Sequence, residues 1–370
     1  MEINNIPSGL VSKFYIHDPN SDISLGKRRF VLVGNEGKRL AEGVGDLYLT
    51  FTPIKGLKVQ ADIEINARIL EKFMGDNLDI VVEGQREWII TGVSPLTAIR
   101  PYVESPPCDN IKRVVFHLVN FCDFVGEAIR RGSSEFIRGR LNLKSDVWKV
   151  TLDSTPVTKR NIKLLKKIGG FAITHIGSLE RVDGGTFSSE EAKSFFRQFA
   201  DFIAFTRGLW AAPTLLFGYD KNGKVAWSEM GFSKRLTPWK YVDSWCDTLY
   251  AAEMLPPIFS GYMSIVAEPN WKDVLPSIIY WYVLGNTMSF LDGGLVLIQL
   301  ALELLSWNFL VVEKSSLSQD AFSRISASDK IRLLTSFLGI PLEIPETLTQ
   351  LTRYAKGSNR KLDGPDVITA

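Results

Sequence analysis

From Leu291 to Glu313 the chain reads LDGGLVLIQLALELLSWNFLVVE, a nearly continuous apolar run broken mainly by Gln299, Glu303, Ser306 and Asn308. Roughly 18 to 20 residues without proline are too many for one buried strand, and Ala, Leu and Gln favour a helix. A helix this apolar is expected to be buried on most of its circumference, and so to be surrounded by other helices. A membrane span is the competing reading. It would place Glu303 near the bilayer centre, at about 2.5 to 3.5 kcal/mol on insertion scales. The run is therefore expected to form the core of a helical bundle, with no membrane contact.

A chain of 370 residues exceeds the size at which a single core usually stops growing, so two or three domains are expected. The start, MEINNIPSG, has neither the basic nor the apolar segment of a cleaved signal, which makes the cytoplasm the expected location. Cys108, Cys122 and Cys246 are odd in number and widely spaced, so they suggest neither a disulfide framework nor a metal site. No cofactor motif is present either. With only His17, His117 and His175, there is little scope for imidazole chemistry.

Residues 1–158 contain short β-branched and aromatic runs separated by Gly, Asp, Asn and Pro, the pattern of an antiparallel β-sandwich or barrel-like region. Expected strands include Phe14–His17, Arg29–Val33, Leu47–Thr52, Leu57–Ile65, Leu78–Glu83, Trp88–Val93, Val114–Asn120, Ile137–Leu143 and Val147–Leu152. The turn Gly34-Asn35-Glu36-Gly37 suits a hairpin, while Pro95, Pro101, Pro106 and Pro107 mark a loop that interrupts the sheet.

Net charge is +2 but unevenly spread: Arg130 to Lys167 holds eleven Lys and Arg against three acidic residues, which leaves −6 for the rest. A period of two puts Arg138, Arg140 and Lys144 on one face of a hairpin, with Lys149 beside them. Such a stripe is a candidate anion or nucleic-acid contact surface, set against an ordinary solvated sheet face.

Residues 159–240 form a mixed α/β segment expected to pack on the β region. Lys159–Lys167 predicts a short basic helix that buries Ile162, Leu165 and Ile168. Ser188 with Glu191 makes a capping box for a helix whose Ala192, Phe195, Phe196, Phe199, Phe202 and Ile203 trace one face. Gly218 to Lys224 has Walker A spacing, but Val225 stands where a Ser or Thr is required and the loop leads into a strand. His175, in an apolar strand without a nearby nucleophile, reads as a core residue.

Residues 241–370 are expected to be helical: Tyr241–Met254, stopped by Pro256-Pro257; a helix after Asn270; the apolar run; one opened by Ser326 and closed by Gly339; and one from Pro345 to Gly357. Asp363-Gly364-Pro365-Asp366 resembles a helix start with about five residues left to follow it, so the natural chain is expected to continue past Ala370. The fold class is thus α+β, with an antiparallel β region, a mixed middle and a C-terminal helical bundle that also offers a homodimer surface.

GGFAITHIGSLERVDGGTF, its Phe-rich helix, DGGLVLIQLALELLSWNFLV and SASDKIRLLTSFLGIPLEIP together resemble bacterial Apea-type anti-phage defence proteins with a HEPN-like helical domain. The resemblance implies a sensing β module joined to an RNase that needs no metal, with RNA or a phage protein as partner. HEPN nucleases use an Arg and a His with four to six residues between them, one more at least than the three between Arg113 and His117, for charge stabilisation and proton transfer. Arg113 and His117 do not have that spacing, so the motif would have to lie beyond Ala370. Glu303 then reads either as a carboxylate paired with Arg324 or Arg332, or as a group orienting that catalytic pair. The alternative is a non-enzymatic binding or scaffold protein whose β module recognises a ligand or protein. A carbohydrate-active β domain is a third reading, with no carboxylate pair assignable from sequence.

Overall fold

The computed structural model describes residues 6–343 and 347, apart from 15, 35–38, 63–77, 83–85, 87, 94, 132–134, 234 and 289. The chain divides into two compact units, Met1–Gly261 and Tyr262–Ala370.

The first unit holds two antiparallel sheets. Strands β1 (Ile23–Gly34), β2 (Arg39–Thr50), β3 (Gly56–Ala61), β4 (Leu78–Val82), β5 (Ile89–Val93) and β6 (Leu96–Arg100) form a six-stranded sheet in the order β4-β1-β2-β3-β6-β5. Its end strands β4 and β5 touch, so the sheet curls almost into a ring. Inward residues such as Phe30, Leu32, Leu49, Leu57, Val59 and Ile80 fill it.

The second sheet takes β7 (Tyr102–Glu104), β8 (Arg113–Val119), β9 (Glu127–Arg131), β10 (Glu135–Lys144), β11 (Trp148–Ser154), β12 (Ile173–Arg181), β13 (Ala212–Tyr219) and β14 (Val225–Gly231). Its order is β7-β14-β13-β8-β12-β11-β10-β9. Strands on both sides of residue 158 therefore belong to a single sheet, with β8 at its centre.

Helix α1 (Thr158–Ile168) follows β11, and α2 (Ser189–Arg207) follows β12. The capping box of α2 is formed in full: Ser188 Oγ accepts from Glu191 N at 3.1 Å, and Ser188 N donates to Glu191 Oε2 at 2.8 Å. The phenylalanine face of α2 packs on the sheet, where the Phe116 ring meets Phe196 and Phe199 edge-on at centroid distances of 5.0 and 5.6 Å. Phe116 lies across Gly177, its cross-strand partner on β12. In α1, Ile162 and Leu165 are buried as expected, but Ile168 is exposed.

Several expectations are corrected. Phe14, Ile16 and His17 are not in a strand. Leu96–Arg100 and Tyr102–Glu104 are strands, although the surrounding prolines marked that stretch as loop. A proline beside a short edge strand costs no ladder bond, which is why β7 can lie between Pro101 and Pro106. Helix α3 (Ala251–Ala267) contains Pro256 and Pro257 instead of ending at them. The bonds they forgo fall at the first-turn carbonyls, and Phe259 anchors the helix on Phe199 and Phe202. The Gly34–Gly37 turn, the Pro345–Gly357 helix and the Asp363 helix start lie wholly or largely outside the described residues.

In the second unit, α4 (Val274–Thr287) packs on α5 (Leu291–Trp307), which continues as a π-helical segment, Asn308–Glu313. Helices α6 (Gln319–Arg324) and α7 (Ala327–Phe337) follow, each with a serine cap. Among the described residues, Leu291–Glu313 is the one helix long and apolar enough to cross a membrane, yet only 22% of its apolar window is buried. The expectation of near-complete burial therefore fails. Where α4 packs on it the two backbones approach closely: a Cβ on Gly285 would lie 2.9 Å from the Gly294 carbonyl, with Ile298 and Leu297 beside it.

Gly177→Ala tests the packing of α2 on the sheet. A Cβ there would lie 2.2 Å from Phe116 Cζ, and the ring is wedged between two further phenylalanines. The substitution is expected to lower unfolding free energy by about 1 to 3 kcal/mol or more in urea titration. An unchanged midpoint would refute this packing.

Candidate functional site

The inner face of α2 carries Phe195, Phe199 and Phe202, which are fully or almost fully buried. Helical periodicity then brings Glu190, Lys193, Arg197 and Ala200 to a neighbouring face, directed toward the β7-β14-β13 edge of the sheet. Between this face and that edge lies a cleft of about 570 Å³. Phe196, Pro213, Leu216 and Phe232 give it apolar walls, and Tyr102, Glu190, Lys193, Arg197 and Glu229 bring polar groups to it.

Register places the polar groups. Glu104 on β7 stands opposite Glu229 on β14, and Glu229 stands opposite Leu216 on β13. Two ionised carboxylates directly opposed on adjacent strands repel each other. The surroundings divide the two chemically. Burial alone would raise Glu104, but donors outweigh it and hold its pKa below the usual carboxylate value. Lys193 Nζ donates to Glu104 Oε1 at 2.9 Å, Trp227 Nε1 to the same oxygen at 3.3 Å, and the Tyr102 hydroxyl to Oε2 at 2.7 Å. The same ammonium reaches Glu190 Oε1 at 2.5 Å, and these two carboxylates raise the Lys193 pKa.

Glu229 goes the other way. Burial, then the nearby Glu104 charge, lift it to about 7. Burial and both carboxylates also push the Tyr102 hydroxyl well above its ordinary value, so it stays protonated. The cleft wall thus carries a carboxylic acid that titrates near neutrality, Glu229, beside an ionised carboxylate, Glu104, that stands behind it. Among the described residues no group of His, Cys, Asp and Glu could hold a metal ion.

The residues singled out from sequence lie elsewhere. Lys144 and Lys149 are cross-strand partners and exposed, and exposed Arg138 donates from Nε to the Gly126 carbonyl at 3.2 Å. Arg140 is buried: its Nε and one Nη donate to the two Asp153 oxygens at 2.7 Å each. The segment around Ser8–Leu10 crosses over this pair, with the Ser8 carbonyl accepting from Arg140 and Leu10 N donating to Asp153. Glu303 lies 3.9 Å from Lys330 Nζ, in place of the expected arginine partner. His175 is fully buried, stacked on Phe124, and held neutral by burial with its pKa lowered to about 3. His117 is also buried and lowered, to about 4. Sequence reasoning missed Tyr102, Glu104, Lys193 and Glu229; the available signal was the alternation of Tyr102 with Glu104 beyond Pro101.

Residues 107–242 match the family model described as YopA central domain, and residues 268–370 match that of the YopA C-terminal domain. The chain is 26% identical over 381 aligned residues to the "SPbeta prophage-derived uncharacterized protein YopA" of Bacillus subtilis (strain 168), covering 97% of this chain and 83% of that protein. No solved structure matches. These matches overturn the Apea-type and HEPN-like resemblance. The segments on which it rested, GGFAITHIGSLERVDGGTF and the apolar run, fall inside the YopA central and C-terminal domain matches. They are a buried strand with its glycine turn and an apolar helix, patterns that unrelated folds share.

Glu229 makes a specific pH dependence. Its folded pKa, about 7, is above the ordinary value of 4.5, so the folded chain binds this proton more tightly. The resulting stabilisation is complete below about pH 4.5 and is lost as pH rises through 7. Glu229→Gln removes that contribution. The variant is expected to gain stability relative to the parent between pH 5 and pH 8 in denaturant titrations, and parallel curves would refute the assignment.

Proposed function

We propose that this chain is a non-enzymatic binding protein whose first unit holds a small ligand, with an apolar body and one polar end, in the cleft between α2 and the β7-β14-β13 edge. The observation that carries this reading is the convergence of Tyr102, Lys193, Arg197 and Glu229 on an apolar-walled cleft of about 570 Å³, since ligand sites are characteristically concave, largely apolar and supplied with a few placed polar groups. Glu104 stands behind Lys193 and Tyr102 and fixes their orientation through the bonds described above. Nucleic-acid contact through the β10–β11 hairpin has less support, because Arg140 is committed to Asp153, leaving Arg138, Lys144 and Lys149 as the exposed cations of that set.

Ala200 lines the cleft from α2, and a phenylalanine there would fill it without removing a polar group. Thermal-shift screening of a defined metabolite panel is expected to find compounds that raise the melting temperature of the parent chain but not of Ala200→Phe, as binding to the folded state requires. A panel without any stabilising compound, or one whose hits act equally on both proteins, would refute the proposal.

A further inference from the structure

Helix α5 turns an apolar face outward. Leu291 is 77% exposed, Leu295 56%, Val296 57% and Leu300 43%, and the preceding Met288 and Phe290 extend the patch. Within the helix the exposed positions fall on two adjacent i, i+4 ridges, Leu291–Leu295–Gln299 and Asp292–Val296–Leu300. Read in opposite directions, these ridges complement each other. A second copy running antiparallel, about a two-fold axis between positions 295 and 296, sets Leu291 against Leu300, Leu295 against Val296 and Asp292 against Gln299. Apolar groups meet apolar groups, and the Gln299 amide, one of whose N–H groups points to Glu303 Oε1 at 3.5 Å in its own helix, has its second N–H for the carboxylate of the other copy. An isologous interface requires this kind of self-complementarity.

We propose that Leu291–Leu300 forms the two-fold interface of a homodimer. Counted together with Met288 and Phe290, which flank the paired segment and must be covered with it, the patch exposes roughly 600 Å² per copy, the lower limit of the approximately 1,200 Å² total of stable interfaces. A lipid surface fits less well. Asp292 would face hydrocarbon as an ionised carboxylate, and α4, the helix packed on α5, has 14 residues, about 21 Å against the roughly 30 Å of a bilayer core.

The test is the mass of the full chain in solution, measured by light scattering across a concentration series, together with flotation on phosphatidylcholine–phosphatidylglycerol vesicles. The parent chain is expected at twice its 41.5 kDa and absent from the vesicle fraction. Gln299→Glu places a second carboxylate against Asp292 of the other copy, twice per dimer, and is expected to weaken association at least tenfold. Adding Asp292→Lys to Gln299→Glu is expected to restore the dimer. Both positions are exposed on a formed helix. Gln299→Glu also sets a carboxylate four residues from Glu303, whose Oε1 accepts from Gln299, a weak like-charge repulsion within the helix. Circular dichroism therefore checks that the helix is kept, and the Asp292→Lys rescue separates that effect from the loss of the interface. A monomer at every concentration, a dimer indifferent to Gln299→Glu, a loss that Asp292→Lys does not restore, or a monomer that floats with vesicles would each overturn the proposal.

Discussion

The cleft depends on the seating of α2 over Phe116. That ring lies across Gly177, where β12 has no side chain to hold it off, and it receives Phe196 and Phe199 from above. Once those contacts fix the rotation of the helix, its neighbouring face has no freedom left. Lys193 must reach toward β7, and Ala200 must face Leu216 and Pro213 across open space. The polar cluster is thus positioned by packing several ångströms away from it, which gives a loop-bounded edge strand of three residues a rigid opposite wall.

That rigidity explains how the sheet tolerates Glu104 opposite Glu229. On a mobile edge the two carboxylates would separate and both ionise. Here Lys193, Trp227 and Tyr102 hold one as an anion, and burial keeps the other protonated up to about pH 7. A neutral carboxylic acid can donate a hydrogen bond, which a carboxylate cannot. The pair costs stability above neutral pH, and the observation that both polar walls of the cleft converge on it gives that cost a functional rationale.

Much of the sheet and of α2 was legible in the sequence because their signals are local: alternation along β10 and β11, the Ser188–Glu191 box, the Gly218–Lys224 loop that leads into a strand. The site was not legible because its partners are far apart in the chain. Glu104, Lys193 and Glu229 meet only after β7 joins the sheet beside β14, and the prolines around β7 gave that strand the composition of a loop. Arg140 shows the converse limit. A strict period of two places it beside Arg138, but a bulge falls between Arg138 and Arg140, and alternation contains no information about that bulge or about the Ser8–Leu10 segment that covers Arg140 and leaves it paired with Asp153.

The apolar run raises a related point about what hydrophobicity specifies. Leu291 to Glu313 is apolar enough for a core helix or a membrane span, and composition cannot choose between them. The distribution of glycines and polar groups around the helix is more informative. Gly294 meets Gly285 on one side, so α4 packs closely there. Asp292 and Gln299 sit on the opposite side, seven residues apart, on different ridges and equidistant from the midpoint between Leu295 and Val296. A helix selected only to fill a core has no reason to place its two exposed polar residues symmetrically among exposed leucines. A helix that meets its own copy does, because Asp292 then faces an amide donor, the N–H of Gln299 that is not directed at Glu303, while the apolar residues between them leave water.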